Sequence, residues 1–154
     1  MSGTIAARLK ALGITLPEAP APAANYVPWV RSGDMVYISG QISQGAEGLI
    51  KGKLGADMDV AAGAAAARAC ALSILAQAQA ACGGDLDRLV RLVKITGFVN
   101  STPDFTDQPK VVNGASDLLV EVLGDAGRHA RSAVSAASLP LGVAVEIEAI
   151  VEIR

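Results

Sequence analysis

Half of one 24-residue stretch of this chain is alanine. Twelve alanines fall between Asp59 and Cys82, and alanine loses less than any other residue on entering a helix. Asp59 stands where a carboxylate can accept the first free N–H groups, and Gly83-Gly84 supplies a stop. The spacing predicts a helix over 59–82. Its buried face carries Ala64, Ala67, Ala71, Ile74, Leu75, Ala78 and Cys82, while Arg68, Ser73 and Gln77 point elsewhere. Side chains this small require close approach to a neighbour, and a sheet is the surface that fits. Cys70 and Cys82 lie about 18 Å apart along such a helix, beyond disulfide reach, and are expected as core thiols.

The elements on either side follow from their own patterns. Thr4 to Gly13 places Ile5, Leu9 and Leu12 at helical spacing, and Pro17, Pro20, Pro22 and Pro28 then keep the chain extended. Two strand-like pieces, Pro28 to Arg31 and Met35 to Ser39, flank Ser32-Gly33-Asp34 as a hairpin, and Gln41 to Gly55 reads as a loop or loosely paired strand. After the alanine helix, a short turn at Asp85 to Leu89 leads into a central strand, Leu89 to Val99. A second helix covers about Pro109 to Leu123, although Asn113-Gly114 costs it about 1 kcal/mol relative to alanine. Arg131 to Ala137 and Val143 to Ile153 are the last strands. This order predicts an α+β fold, a mixed sheet with both long helices on one face. One domain, residues 26–154, follows a leader, residues 1–25. The other sheet face then needs a cover, and further copies of the chain are the expected one.

Composition excludes several functions. Thirteen basic residues against fifteen acidic give a net charge of −2, and only five residues are aromatic. Such a chain lacks the basic surface and stacking platforms that hold nucleic acid, so no nucleic-acid partner is expected. At 51% hydrophobic and 18% charged, it has more apolar surface than one small domain comfortably hides, which favours self-association. No uninterrupted apolar run nears the roughly 18 residues of a membrane span, and Arg8 and Lys10 break the N-terminal apolar positions. No membrane partner and a cytoplasmic location are expected. His129 is the sole histidine and there is no Cys-x-x-Cys pair, so no metal is expected.

Two side chains stand out. A strand from Val145 to Ile153 puts Val145, Ile147, Ala149, Val151 and Ile153 on one face and Glu146, Glu148 and Glu152 on the other, interrupted by Ile150. The carboxylates form either a solvated face or a wall partly covered by another subunit. In the second case burial and like charge raise a carboxyl pKa toward values useful for activating water. Arg131 opens a strand of small, uncharged residues. It serves either as an edge-strand arginine bonded to a carboxylate such as Glu146 or as a clamp for a ligand carboxylate, which its planar fork of donors fits. Arg128 and His129 fall in a polar turn and are expected to face solvent, and one histidine cannot supply a pair for RNA cleavage.

Several segments together resemble the RidA/YjgF family of reactive-intermediate deaminases, also called endoribonuclease L-PSP proteins. They are Tyr26-Val27, Ile38-Ser39-Gly40-Gln41-Ile42, Asn113, Ala130-Arg131-Ser132, Leu139-Pro140 and Val145-Glu146-Ile147-Glu148-Ala149-Ile150. The resemblance runs from about Tyr26 to Arg154. It implies a chorismate-mutase-like α+β fold, a homotrimer with sites in clefts between subunits, and hydrolysis of enamines or imines such as 2-aminoacrylate to 2-keto acids and ammonia, without a cofactor. By that resemblance Arg131 holds the substrate carboxylate, Glu146 serves the attacking water, Tyr26 lines the cleft, Gly40 offers a backbone contact and Asn113 matches a family asparagine. Ala133 stands where the deaminase branch often has cysteine, which excludes a thiol there. The leader and the Ser101 to Val112 connection resemble a longer branch. The other functions weighed are a non-catalytic module that binds small keto acids through Arg131, and a ribonuclease.

Overall fold

In the computed structural model, residues 3–22 and 24–154 are described. Met1, Ser2 and Ala23 of the expected leader lie outside them. The chain begins with helix α1 (Thr4–Ala11), then a strand pair, β1 (Trp29–Ser32) and β2 (Met35–Ile42), and a small ribbon, β3 (Gln44–Gly45) and β4 (Gly48–Leu49). Helix α2 (Val60–Ala81), strand β5 (Leu89–Asn100), helix α3 (Gln108–Leu123) and strands β6 (Ala130–Ala136) and β7 (Val145–Ile153) complete it. The main sheet has the order β1-β2-β7-β5-β6. Within this sheet the β5–β6 pair is parallel, with α3 as its crossover; β1–β2, β2–β7 and β5–β7 are antiparallel.

The ends of α2 form as their residues dictate: the Asp59 side chain accepts from the Ala62 N–H, and Gly83 and Gly84 take positive φ. By length and mean hydropathy α2 could cross a membrane. In this fold, however, its buried residues pack with the sheet and α3 in the single core. Ser73 and Gln77, expected away from the buried face, are 2% and 1% exposed. The reason is geometric: α2 contacts β2 and β7 on one side and α3 on another, so more than one stripe is covered. Cys70 and Cys82 are free, buried thiols, and burial pushes both thiol pKa values up.

The glycine inside α3 has a packing reason. A Cβ on Gly114 would overlap the backbone carbonyl of Ala64, so the two helices approach there too closely for any side chain. In β7 the alternation is complete, with Val145, Ile147, Ala149, Val151 and Ile153 all buried under the helices. Among the described residues the opposite face of the sheet carries no helix, and Val30, Tyr37 and Val134 are exposed there at 52%, 48% and 44%. In register these sit with Phe98, Ile150 and Lys94, an apolar surface edged by charge.

Gly114→Ala tests the crossing. In an open helix the change would gain about 1 kcal/mol of propensity. Here the added methyl meets rigid backbone, and such overpacking costs about 1–3 kcal/mol or more. A net loss of about 1–2 kcal/mol is therefore expected in chemical denaturation, and a stabilised variant would contradict the packing account.

Candidate functional site

Each candidate residue is placed by a regular element, and together they form two groups. Glu146 projects from the second position of β7 onto the helix-free face, beside Phe98 of β5 and Ile42 of β2. Between Ile38 and Gln41 the β2–β7 pairing slips at a bulge, and Gly40 lies in it. The Glu146 carboxylate sits directly over Gly40, where any Cβ would overlap its Oε2. Tyr26, 53% exposed, joins them around a cavity of about 310 Å³. Pro20 and Pro22 from the leader and Leu141 from the turn before β7 also line it. Burial is the larger cause, and neighbouring Glu148 the smaller, of a Glu146 pKa raised above its ordinary 4.5. Within the single chain Glu146 is half-buried, while Glu148 on the same face is exposed.

Arg131 belongs to the second group. It pairs in parallel register with Ile95, itself opposite Ala149, and all three face the helices. Its Nη1 donates to Asn113 Oδ1 at 2.9 Å and to Ser116 Oγ at 3.2 Å, and Nη2 reaches the Pro109 carbonyl at 3.5 Å. All three acceptors are neutral. Among the described residues Arg131 has no carboxylate within ion-pair distance; the ion pairs there are Arg31–Asp34, Lys110–Asp107 and Arg128–Asp125. The expected alternative, an arginine bonded to Glu146, is therefore not what the fold builds. With Nη1 saturated, Nε and one Nη2 hydrogen remain, donors of the kind that grip two carboxylate oxygens.

His129 corrects another expectation, since it is half-buried rather than solvent-facing. Its Nδ1 lies 2.6 Å from the Gly127 carbonyl and its Nε2 2.9 Å from Ser116 Oγ. The carbonyl can only accept, so a neutral ring carries its proton on Nδ1 and Nε2 accepts from Ser116. Arg131 thus donates to Ser116, Ser116 to His129, and His129 to the backbone. Ser116 was not among the residues singled out from sequence, and a serine on a helix face gives no signal unless β6 is known to lie under that helix. Ala133 sits two residues beyond Arg131 on the same face, partly buried against the core.

The two groups do not meet within one chain. Glu146 and Arg131 lie two strands and three register positions apart, about 14 Å in the sheet plane, and on opposite faces. No cluster of three metal-ligating side chains occurs among the described residues.

A carboxylate on one strand lying over a glycine in the bulge of the next, with an arginine on the far edge strand that has no carboxylate partner among the described residues, defines an α+β protein whose candidate site residues are spread over both sheet faces. Residues 6–153 match the family described as "YjgF/chorismate_mutase-like, putative endoribonuclease", and the chain belongs to this YjgF/RidA family. It is 54% identical to Protein TCP17 of Trypanosoma cruzi over 155 residues, covering 99% of this chain and 96% of that one. The crystal structure of Atu1372 from Agrobacterium tumefaciens, of unknown function, is 51% identical over 97% of this chain and 92% of its own, with a TM-score of 0.90. RidA from an Antarctic Psychrobacter is 32% identical, covering 88% and 94%, with a TM-score of 0.60.

Glu146 gives a test of sign. A carboxyl whose pKa is higher folded than unfolded contributes stability fully present below the unfolded value and lost as pH rises through the folded one. Glu146→Gln cannot ionise and escapes that loss. Its stability relative to wild type should rise between pH 4 and pH 7, read by denaturation at each pH; a relative stability that falls over this range would contradict the raised pKa.

Proposed function

We propose that the protein hydrolyses small carboxylate-bearing imines, and enamines that tautomerise to them, to 2-keto acids and ammonia, in a cleft formed between copies of the chain. The observation that carries this reading is the state of Arg131: half-buried, held by neutral oxygens, with an edge of its guanidinium uncommitted. A cation kept this way suits an arriving carboxylate.

The chemistry asks for little beyond position and one base. With the substrate carboxylate on Arg131, the imine carbon is already electrophilic. Ionised Glu146 takes a proton from water as the water oxygen bonds to that carbon, and returns it to the imine nitrogen, which becomes an amine. The hydroxyl proton then passes through Glu146 to that nitrogen as the C–N bond breaks, so the keto group forms and ammonia leaves. An enamine first gains a proton on its terminal carbon. Gly40 leaves room for the carboxylate above it, and Asn113 holds the arginine.

Because Arg131 and Glu146 occupy opposite faces of one sheet, the cleft needs Arg131 from one copy and Tyr26, Gly40 and Glu146 from the next. The bare face with Val30, Tyr37 and Val134 supplies apolar area for such packing. A closed homotrimer, as the family resemblance implies, satisfies this heterologous contact without leaving an open end. Cleavage of RNA, which the family description names, finds less support. The net charge is −2, and the lone histidine is engaged by Ser116 and the Gly127 carbonyl.

Two experiments test the proposal. Wild type should accelerate ammonia release from 2-aminoacrylate generated in the assay, and Arg131→Ala should lose at least about 100-fold in kcat/KM, the scale of a lost charge-assisted fork. Wild type that binds 2-keto acids through Arg131 yet gives no acceleration would make the cleft a binding module and overturn the enzyme reading. Co-expressing Arg131→Ala with Glu146→Gln in equal amounts should restore activity to about one quarter of the sites, because random assembly brings an intact arginine to an intact glutamate that often. No recovery from two separately inactive variants would place both residues in one copy's site.

A further inference from the structure

The leader before β1 forms one wall of the Glu146 cavity. Ile14 and Leu16 pack against the core, and the chain then runs extended so that Pro20, Ala21 and Pro22 face Tyr26, Pro28 and the Ser39–Ile42 strand across the cavity. What holds the leader there comes from inside the protein. Gln77 of α2, 1% exposed, donates its Nε2 to the Pro20 carbonyl at 2.7 Å and lies 3.4 Å from the Gln41 side-chain oxygen. Gln41 in turn donates to the Ser39 carbonyl at 2.9 Å. The Gln77 side-chain oxygen is buried without a hydrogen-bond partner among the described residues, an arrangement that costs stability. An apolar residue would suit this helix better for folding alone, so the amide is best explained by what it holds.

The wall it holds is apolar. Three prolines and an alanine from the leader and its end, with Tyr26, Ile42 and Leu141, line a cavity whose one charged lining group among the described residues is Glu146. Leu141 is 65% exposed at φ 60°, in the left-handed region that an L side chain adopts at a cost. At about 310 Å³, the space is at the lower end of those that enclose drug-sized organic ligands, and far more than a three-carbon acid fills.

We infer that the leader, anchored by Gln77 to Pro20, sets substrate choice by forming a side-chain pocket for 2-imino acids with a branched or aromatic apolar substituent. This rests on the proposed imine hydrolysis, and it assigns the cavity to the substituent while Arg131 of the adjoining copy takes the carboxylate.

Binding of the 2-keto acid products, measured by calorimetry on the full-length protein, separates the two claims. Pyruvate and 4-methyl-2-oxopentanoate differ by three apolar carbons, which buried together favour the larger acid by at least about tenfold. Wild type should show that ratio. Gln77→Leu removes the tether and the unpartnered oxygen while leaving the Gln41 side-chain oxygen without its donor, so its stability should be near that of wild type, with the ratio falling to about threefold or less. Ala21→Trp, a change on the exposed leader itself, should lower affinity for the larger acid while leaving pyruvate nearly unchanged, and it decides the matter if Gln77→Leu fails to fold. Equal affinity of wild type for both acids, with both lost in Arg131→Ala, would overturn the leader's role and leave imine hydrolysis standing. A ratio that neither variant moves would do the same. If neither acid binds wild type, the carboxylate clamp fails and this inference fails with it.

Discussion

The close crossing of α2 and α3 is the contact on which the rest of the molecule depends. At Gly114 the second helix approaches the Ala64 carbonyl with no side chain between them, and the alanines of α2 keep the approach short along its length. Two helices packed this tightly act as one layer and cover one face of a five-stranded sheet. The same crossing fixes where α3 lies over β6, and hence that Asn113 and Ser116 reach the Arg131 guanidinium. Helix packing chosen by small residues thus becomes the orientation of a charged group some residues away.

Much of this was legible before any coordinates. The alternation in β7 announced which residues face the helices, and it told apart the carboxylate face because period-two patterning is unambiguous when one side is buried. Asp59 and Gly83-Gly84 marked α2 at both ends. Ser73 and Gln77 were misread because a one-stripe reading assumes one partner, whereas α2 is gripped from several sides. The parallel pairing of β5 and β6 was hidden because a mixed sheet fixes no strand order from pattern alone.

The site was legible as residues and not as geometry. Tyr26, Gly40 and Glu146 gather around one cavity, and Asn113 and Arg131 meet beneath α3. Their separation onto two faces follows from strand register, which no spacing in the chain reveals. His129 looked like a turn residue because its role depends on Ser116, thirteen positions earlier and brought near only by the crossover. Gln77 looked like a solvent-facing polar residue because the leader that takes its hydrogen bond is remote in sequence.

The placement of guanidinium and carboxylate on opposite faces of one sheet has a consequence for how activity depends on amount. On the proposed reading, a newly made chain is inert however well it folds, because it holds both halves of the apparatus and can use neither. Function then appears with a steep threshold in protein concentration, and dilution switches it off without unfolding anything. A substitution that loosens contact between copies would look, in an assay, like the loss of a catalytic group.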